Sequence, residues 1–292
     1  MLQTVTDGIL LGGLYACIGV AFSLLYGVMN LLNLAHGALI MIGGYVSFFA
    51  FQSLGIDPFL SLPISMAVLF VLGYGIQRFI INRVIDANIF MVMILTFGLD
   101  LVLINVALLL WSADYRTISP SYAYISFHIG SVVIPSMRLA VFVTALLLTG
   151  ALALFMSHTK AGQAIQATAL DRYAASLVGI DVKKVYALTF AISSALAGAA
   201  GTLLALLLPI YPEVGNTLTI KAFIIAVLGG LGGLYGALVG GVVLGVAELV
   251  GAYILGSSYQ IAIGLAILLL VLMVRPQGLV GKRFFSEVKA SD

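Results

Sequence analysis

Apolar residues run along this chain in long unbroken stretches, such as 60–76, 89–111, 139–156, 185–208 and 261–274, with the charged residues clustered between them. Neither a period-two alternation nor a narrow apolar stripe governs these stretches. Each is near the ~17–25 residues that a helix needs to cross a bilayer. The pattern predicts hydrophobic segments at about 8–29, 37–54, 60–76, 89–111, 138–156, 185–208, 222–255 and 259–274. Continuous apolar runs match helices rather than barrel strands. The expected fold class is therefore an all-α integral membrane protein of about eight hydrophobic segments, in one domain covering 1–292.

Composition agrees: 62% of residues are hydrophobic and 8% charged, where a soluble domain carries roughly 25% charged residues. No hydrophilic block is long enough for a soluble catalytic or nucleotide-binding domain, and a net charge of +2 gives no basic surface for nucleic acid. Cys17, the single cysteine, lies in the first apolar segment and reads as a small packing residue. The start, 1–7, lacks Lys and Arg, so the first segment reads as a retained span rather than a signal peptide.

Positive charge sets the expected orientation. Arg78 and Arg83, the group Lys160, Arg172, Lys183 and Lys184, and the tail 275–292 with Arg275, Lys282, Arg283 and Lys289 all favour the cytoplasm. The loops 55–59, 112–137 and 209–219 then fall outside, with Arg116 and Arg138 as the minority against the rule. For the tail to return to the cytoplasm, 222–255 has to enter and come back. The run Gly229-Gly230-Leu231-Gly232-Gly233 is the place built to turn, which predicts a broken or re-entrant hairpin there. The alternative is one long helix whose glycines serve close packing.

Four features carry chemistry. Asn30, Asn33 and His36, spaced by three and followed by Gly37, predict an unwound or turned element that either lines a solute path or forms an interfacial turn. Asp100 and Glu248 sit inside apolar segments, where a charge costs roughly 2.5–3.5 kcal/mol at a helix centre. Each is either a functional acid or a partner in an interhelical hydrogen bond, to residues such as Asn105 or Tyr253. In the loop 157–184, Ala161, Ile165, Ala169, Tyr173 and Leu177 repeat every four residues, which predicts one short amphipathic helix, about 164–178, for docking or for packing on its own spans. Glycine runs here lack a following lysine, so no phosphate-binding loop is present.

At this loop Thr159-Lys160-Ala161-Gly162-Gln163-Ala164, followed by Asp171 through Ile180, resembles the coupling loop of ATP-binding-cassette importer permeases. Phe190, Ser193, Leu196, Ala197, Gly198 and Gly201 resemble the next helix of the branched-chain amino acid permease family. So do Asn33 to Gly37, Lys221-Ala222-Phe223 leading into Val227 to Gly230, and Arg275-Pro276-Gln277-Gly278-Leu279. Length and motif set look closest to the LivH type. The resemblance implies coupling residues at Gly162, Asp171, Arg172, Ala174, Ala175 and Gly179. It also implies a LivM-like second permease, LivG-like and LivF-like ATPases that hold ATP and Mg, and an external solute-binding protein. By that resemblance the chain itself binds no cofactor and sits in the bacterial inner membrane. No Leu-Pro follows Ile180, and Asp100 stands where the family suggests a neutral residue. Urea and short amides therefore stay beside branched-chain and other hydrophobic amino acids as solutes. Two other classes remain: a proton-coupled secondary transporter using Asp100 or Glu248, and an intramembrane enzyme, for which His36, His128 and His158 show no metal spacing.

Overall fold

A helix satisfies every backbone N–H and C=O within its own segment, as a bilayer interior demands, and the apolar runs fold accordingly. The computed structural model describes residues 1–85, 87–129 and 132–280; the tail residues Lys282, Arg283 and Lys289 lie outside them. The helices are α1 (Leu2–Met29), α2 (His36–Leu54), α3 (Pro58–Phe79), α4 (Ile89–Trp111), α5 (Ser136–His158), α6 (Lys160–Leu170) and α7 (Arg172–Leu177). They continue with α8 (Val182–Ala205), α9 (Val214–Gly229), α10 (Leu234–Leu255) and α11 (Gln260–Val274). Eight helices among the described residues are long and apolar enough to cross a membrane. Several start where a short polar side chain caps them: Asp57 Oδ1 accepts from Phe59 N at 2.9 Å and Asn88 Oδ1 from Phe90 N at 3.1 Å.

The loop before α5 adds what the apolar pattern did not contain. β1 (Ser126–Ile129) and β2 (Val132–Pro135) pair antiparallel. The Gln3 amide bridges to this hairpin, donating to Val133 O at 2.8 Å and accepting from Val133 N at 2.9 Å.

α1 and α8 are buried along most of their length, while α4, α5 and α11 expose much of theirs. α1 runs antiparallel to α10 with almost no side chain between them: a Cβ on Gly12 would lie 2.6 Å from Val242 Cα, and one on Gly241 would lie 2.3 Å from Ala16 N. α8 meets α2 in the same manner, at Gly43 against Gly198. These approaches use small residues to bring backbones within dispersion range, the main attraction between helices when lipid is as apolar as leucine.

The two ends of the bundle differ in charge. At one end a buried cluster joins Val28 of α1, Met156 of α5, Ile165 of α6, Val185 of α8 and Leu234 of α10. Arg78 and Lys183 sit at this end, where Asn82 Nδ2 donates to Lys183 O at 3.2 Å. The two arginines against the charge rule lie at the other end, and both are occupied. Arg138 pairs with Asp7 at 2.7 Å; Arg116 donates to Trp111 O at 3.0 Å and lies over the Phe48 and Phe49 rings at 5.3 and 5.5 Å.

The 222–255 region divides at its glycines. α9 begins earlier than the predicted segment, at Val214, and ends at Gly229; Gly230 (φ 102°) and Gly232 (φ 84°) make the turn, a backbone region open to glycine at no steric cost. The turn packs against Gly27, near the end of α1, and Gly278, just past α11. α10 alone has the length and apolarity of a span, and α9, with 16 residues, is shorter.

Candidate functional site

The non-helical link between α1 and α2 places its three polar residues differently. Asn30 is exposed and closes α1 in the left-handed region (φ 49°). Asn33 is buried and turns the chain, its Oδ1 accepting from Ala35 N at 3.1 Å. His36 opens α2 fully buried, its ring edge-on to Phe22 at 5.4 Å. The three do not share one surface. Two threonines, unnoticed in the sequence, satisfy the link's backbone. Leu34 N donates to Thr96 Oγ1 of α4 at 3.3 Å, and Thr219 of α9 accepts from Gly37 N at 2.9 Å while its hydroxyl reaches Leu34 O at 3.2 Å. Irregular backbone in a membrane protein persists where protein groups pair it in this way.

Glu248 has a partner, and neither suggested residue is it. Asn105 Nδ2 donates to Leu101 O of its own helix at 2.7 Å, and Tyr253 is exposed. Instead Lys221 Nζ of α9 stands 2.7 Å from Glu248 Oε2, and Tyr15 OH of α1 donates to the same oxygen at 2.8 Å. Lys221 also donates to Tyr15 OH and lies 4.5 Å from the centre of its ring. The side chains of Glu248 and Lys221 are 1% and 12% exposed. This ionic cluster fastens α1, α9 and α10 together. The glycine hairpin explains the register. Gly229 faces Gly236 and Gly240 faces Ile225 O, so continuing the antiparallel pairing puts Lys221 opposite Leu244. Glu248 is then one turn further, about 6 Å, within a lysine's reach. A lysine in an apolar segment needs a counter-charge, and that need was the available signal.

Asp100 lies on the inward stripe of α4 with Val92, Thr96, Ile104 and Ala107. It is 4% exposed, and its Oδ1 has no hydrogen-bond partner among the described residues. α4 packs on α2, whereas α10 packs on α1 and α9, so Asp100 and Glu248 belong to different seams.

The loop 157–184 folds as two helices, not the single amphipathic helix predicted. Asp171 breaks it: its backbone is extended (φ −152°), and its Oδ1 caps α7 by accepting from Tyr173 N at 2.8 Å and Ala174 N at 3.0 Å. The four-residue stripe splits there, because an extended residue resets the helical phase. Ile165 of α6 is fully buried, whereas Tyr173 and Leu177 of α7 are 70% and 71% exposed. Gly162 packs on the backbone of Phe155 and Met156, and Ala175 is buried. Arg172 and Ala174 are exposed, and Gly179 leaves α7 in the left-handed region (φ 87°). Leu170, Tyr173, Leu177 and Val178 together form an outward apolar tip.

Helices long and apolar enough to cross a membrane, sealed by glycine contacts and joined at one end by a short helical pair, define a polytopic membrane protein. Residues 4–274 match the family model described as branched-chain amino acid transport system, permease component, and the chain belongs to that family. It is 33% identical over 294 residues to the high-affinity branched-chain amino acid transport permease BraD of Pseudomonas aeruginosa, covering 96% of each chain. It is 34% identical over 296 residues to the permease LivH of Escherichia coli K12, again covering 96% of each. A probable LivH of Methanocaldococcus jannaschii is 30% identical over 291 residues, covering 94% of this chain and 90% of that one.

Proposed function

We propose that this chain is a permease subunit of an ATP-binding-cassette importer for branched-chain or other hydrophobic amino acids, placed in the inner membrane with its C-terminus in the cytoplasm. In this reading it pairs with a LivM-like permease, and LivG-like and LivF-like ATPases hold ATP and Mg beneath it. An external binding protein delivers the solute. The observation that carries the reading is the α6–α7 tip. Four large apolar side chains, Leu170, Tyr173, Leu177 and Val178, face outward on a short capped element, beside the basic end of the bundle. A monomer gains nothing from exposing them, and a groove on an ATPase would cover them.

Nucleotide-driven closure of the ATPases would push α7, and through buried Ile165 and Gly162 would move α5, α8 and the cluster they join. Asn30, Asn33, His36 and Asp100 are the candidates for the solute path. Glu248 is neutralised by Lys221, which favours a bracing role over that of a proton carrier and so weighs against a secondary transporter. Asp100, a buried acid whose Oδ1 has no hydrogen-bond partner among the described residues, keeps urea and short amides as the second solute class.

The test is gentle purification of the tagged chain from its native membrane, with ATPase and uptake assays, beside a Tyr173→Glu, Leu177→Glu double variant. Recovery of a second permease and ATPases, with the ATPases lost from the variant, is the expected outcome. Recovery of the chain alone, active in proton-driven uptake without ATP, would overturn the reading.

A further inference from the structure

At the end of the bundle away from α6–α7, one arginine is held by aromatic rings. Arg138 there is paired with Asp7, whereas the contacts that hold Arg116 are the Trp111 carbonyl at 3.0 Å and the Phe48 and Phe49 rings at 5.3 and 5.5 Å. Its backbone is pinned as well. Arg116 N donates to Ile210 O at 2.9 Å and Ile210 N donates to Arg116 O at 2.8 Å, a bridge between the loop after α4 and the loop before α9. The guanidinium is therefore set in place, yet its Nε is buried without a hydrogen-bond partner among the described residues. The residue as a whole is only half-buried, which leaves it within reach from that end.

Tyr45 of α2 shares these neighbours. Its ring stacks on Trp111 at 4.3 Å and lies 6.5 Å from Phe49. Tyr45 is fully buried, and its hydroxyl also has no hydrogen-bond partner among the described residues. The charged groups that act on this hydroxyl are Arg116 and Asp114. Two buried polar groups left unpaired so close together are costly, because each gives up its hydration without a replacement. A carboxylate supplies what both lack: acceptor oxygens and a negative charge. Asp114 narrows the ligand further. It is exposed and repels a simple anion, so the fitting ligand carries a cation beside its carboxylate, as the zwitterion of an amino acid does. Phe49 and Trp111, with rings 5.7 Å apart and both only partly buried, offer an apolar wall for a side chain.

We propose that Arg116 and Tyr45 bind the α-carboxylate of an amino acid at this end of the bundle, with its ammonium toward Asp114 and its side chain against Phe49 and Trp111. The site rests on the amino acid reading of the solute and adds a place where that solute is held. An uncharged amide such as urea gains little from the arginine, so the site favours the first solute class over the second.

The test is a ligand-detected NMR titration of the full chain in lipid nanodiscs, without ATPases, against leucine, leucinamide, isocaproate and urea. Leucinamide lacks the carboxylate, and isocaproate lacks the ammonium. Wild type is expected to bind leucine about tenfold more tightly than either, and urea least. Tyr45→Phe removes one oxygen and keeps the ring stack, so it should leave thermal stability no lower while weakening leucine about tenfold, the worth of a hydrogen bond to a charged group. Arg116→Gln should weaken leucine further and erase the preference over leucinamide. Should that variant not fold, Tyr45→Phe still decides. Leucinamide bound as well as leucine by wild type, or leucine bound equally by wild type and Tyr45→Phe, would overturn the site and leave the amino acid reading standing with its solute held elsewhere. Absence of saturable leucine binding, with urea bound instead, would overturn both. No leucine binding by wild type, with capture of the external binding protein lost in Arg116→Gln, would assign the arginine to a protein carboxylate and overturn the proposal as well.

Discussion

The α1/α10 seam and the α6–α7 element are both rich in glycine and alanine, yet they do opposite things. In the seam, small residues let two backbones touch: Gly12 faces Val242 and Gly241 faces Ala16 with no room for a Cβ. In α6–α7, Gly162 and Ala175 turn inward, and large apolar side chains are left on the outside. Small residues therefore do not by themselves say whether a surface is finished. The seam has its partner within the chain, and the outward side chains of the α7 tip have none among the described residues of this chain, which is why the proposed function puts another protein there.

The largest loss is expected at the seam. Gly241→Leu puts a side chain where Ala16 backbone atoms lie 2.3 and 2.5 Å from its Cβ, and overpacking of rigid backbone costs about 3 kcal/mol or more. We expect little monodisperse protein by size-exclusion chromatography in detergent. The same change at Gly98, where nothing lies within 4 Å of a built Cβ, should leave the elution profile intact.

The ionic cluster behind the seam comes next. Glu248→Gln strands the Lys221 ammonium, and breaking a buried pair costs about 3–5 kcal/mol. Lys221→Met with Glu248→Leu should recover most of that loss in thermal denaturation. A double variant no more stable than Glu248→Gln would mean that the charge itself is required.

A smaller effect is expected in the loop before α5, where Tyr122 OH donates to Asp57 Oδ2 at 2.6 Å. Burial first, and then this hydrogen bond to the carboxylate, hold the phenol above its ordinary value of 10.0. Because the folded value is raised, the contribution is complete below pH 10 and is lost only as pH climbs through the raised value. Limited proteolysis of 112–135 should stay slow up to pH 10 in wild type. Tyr122→Phe should speed it at every pH, by a loss of about 1–2 kcal/mol.

The smallest effect on folding belongs to the tip. Tyr173→Ser and Leu177→Ser remove exposed side chains, so the stability to thermal denaturation should hold within about 0.5 kcal/mol of wild type, while ATPase copurification falls. A large loss of stability would show that the tip packs on its own spans after all.

Hydrophobic runs and the turn at Gly229 to Gly233 were legible because each is a local property. Run length and a residue tolerant of positive φ can both be read from neighbours in the chain. The break at Asp171 was also local, but it was masked by a four-residue repeat that ran across it. What the chain could not say by itself was which distant groups would meet. Glu248 found Lys221 and Tyr15 rather than Asn105 or Tyr253, and Thr96 and Thr219 found the link before α2. The length of an apolar run sets that a segment is a helix; its rotation and depth against its neighbours follow from how closely the glycine faces let backbones approach. Those two quantities decide every polar contact in the interior, and only the packed bundle sets them.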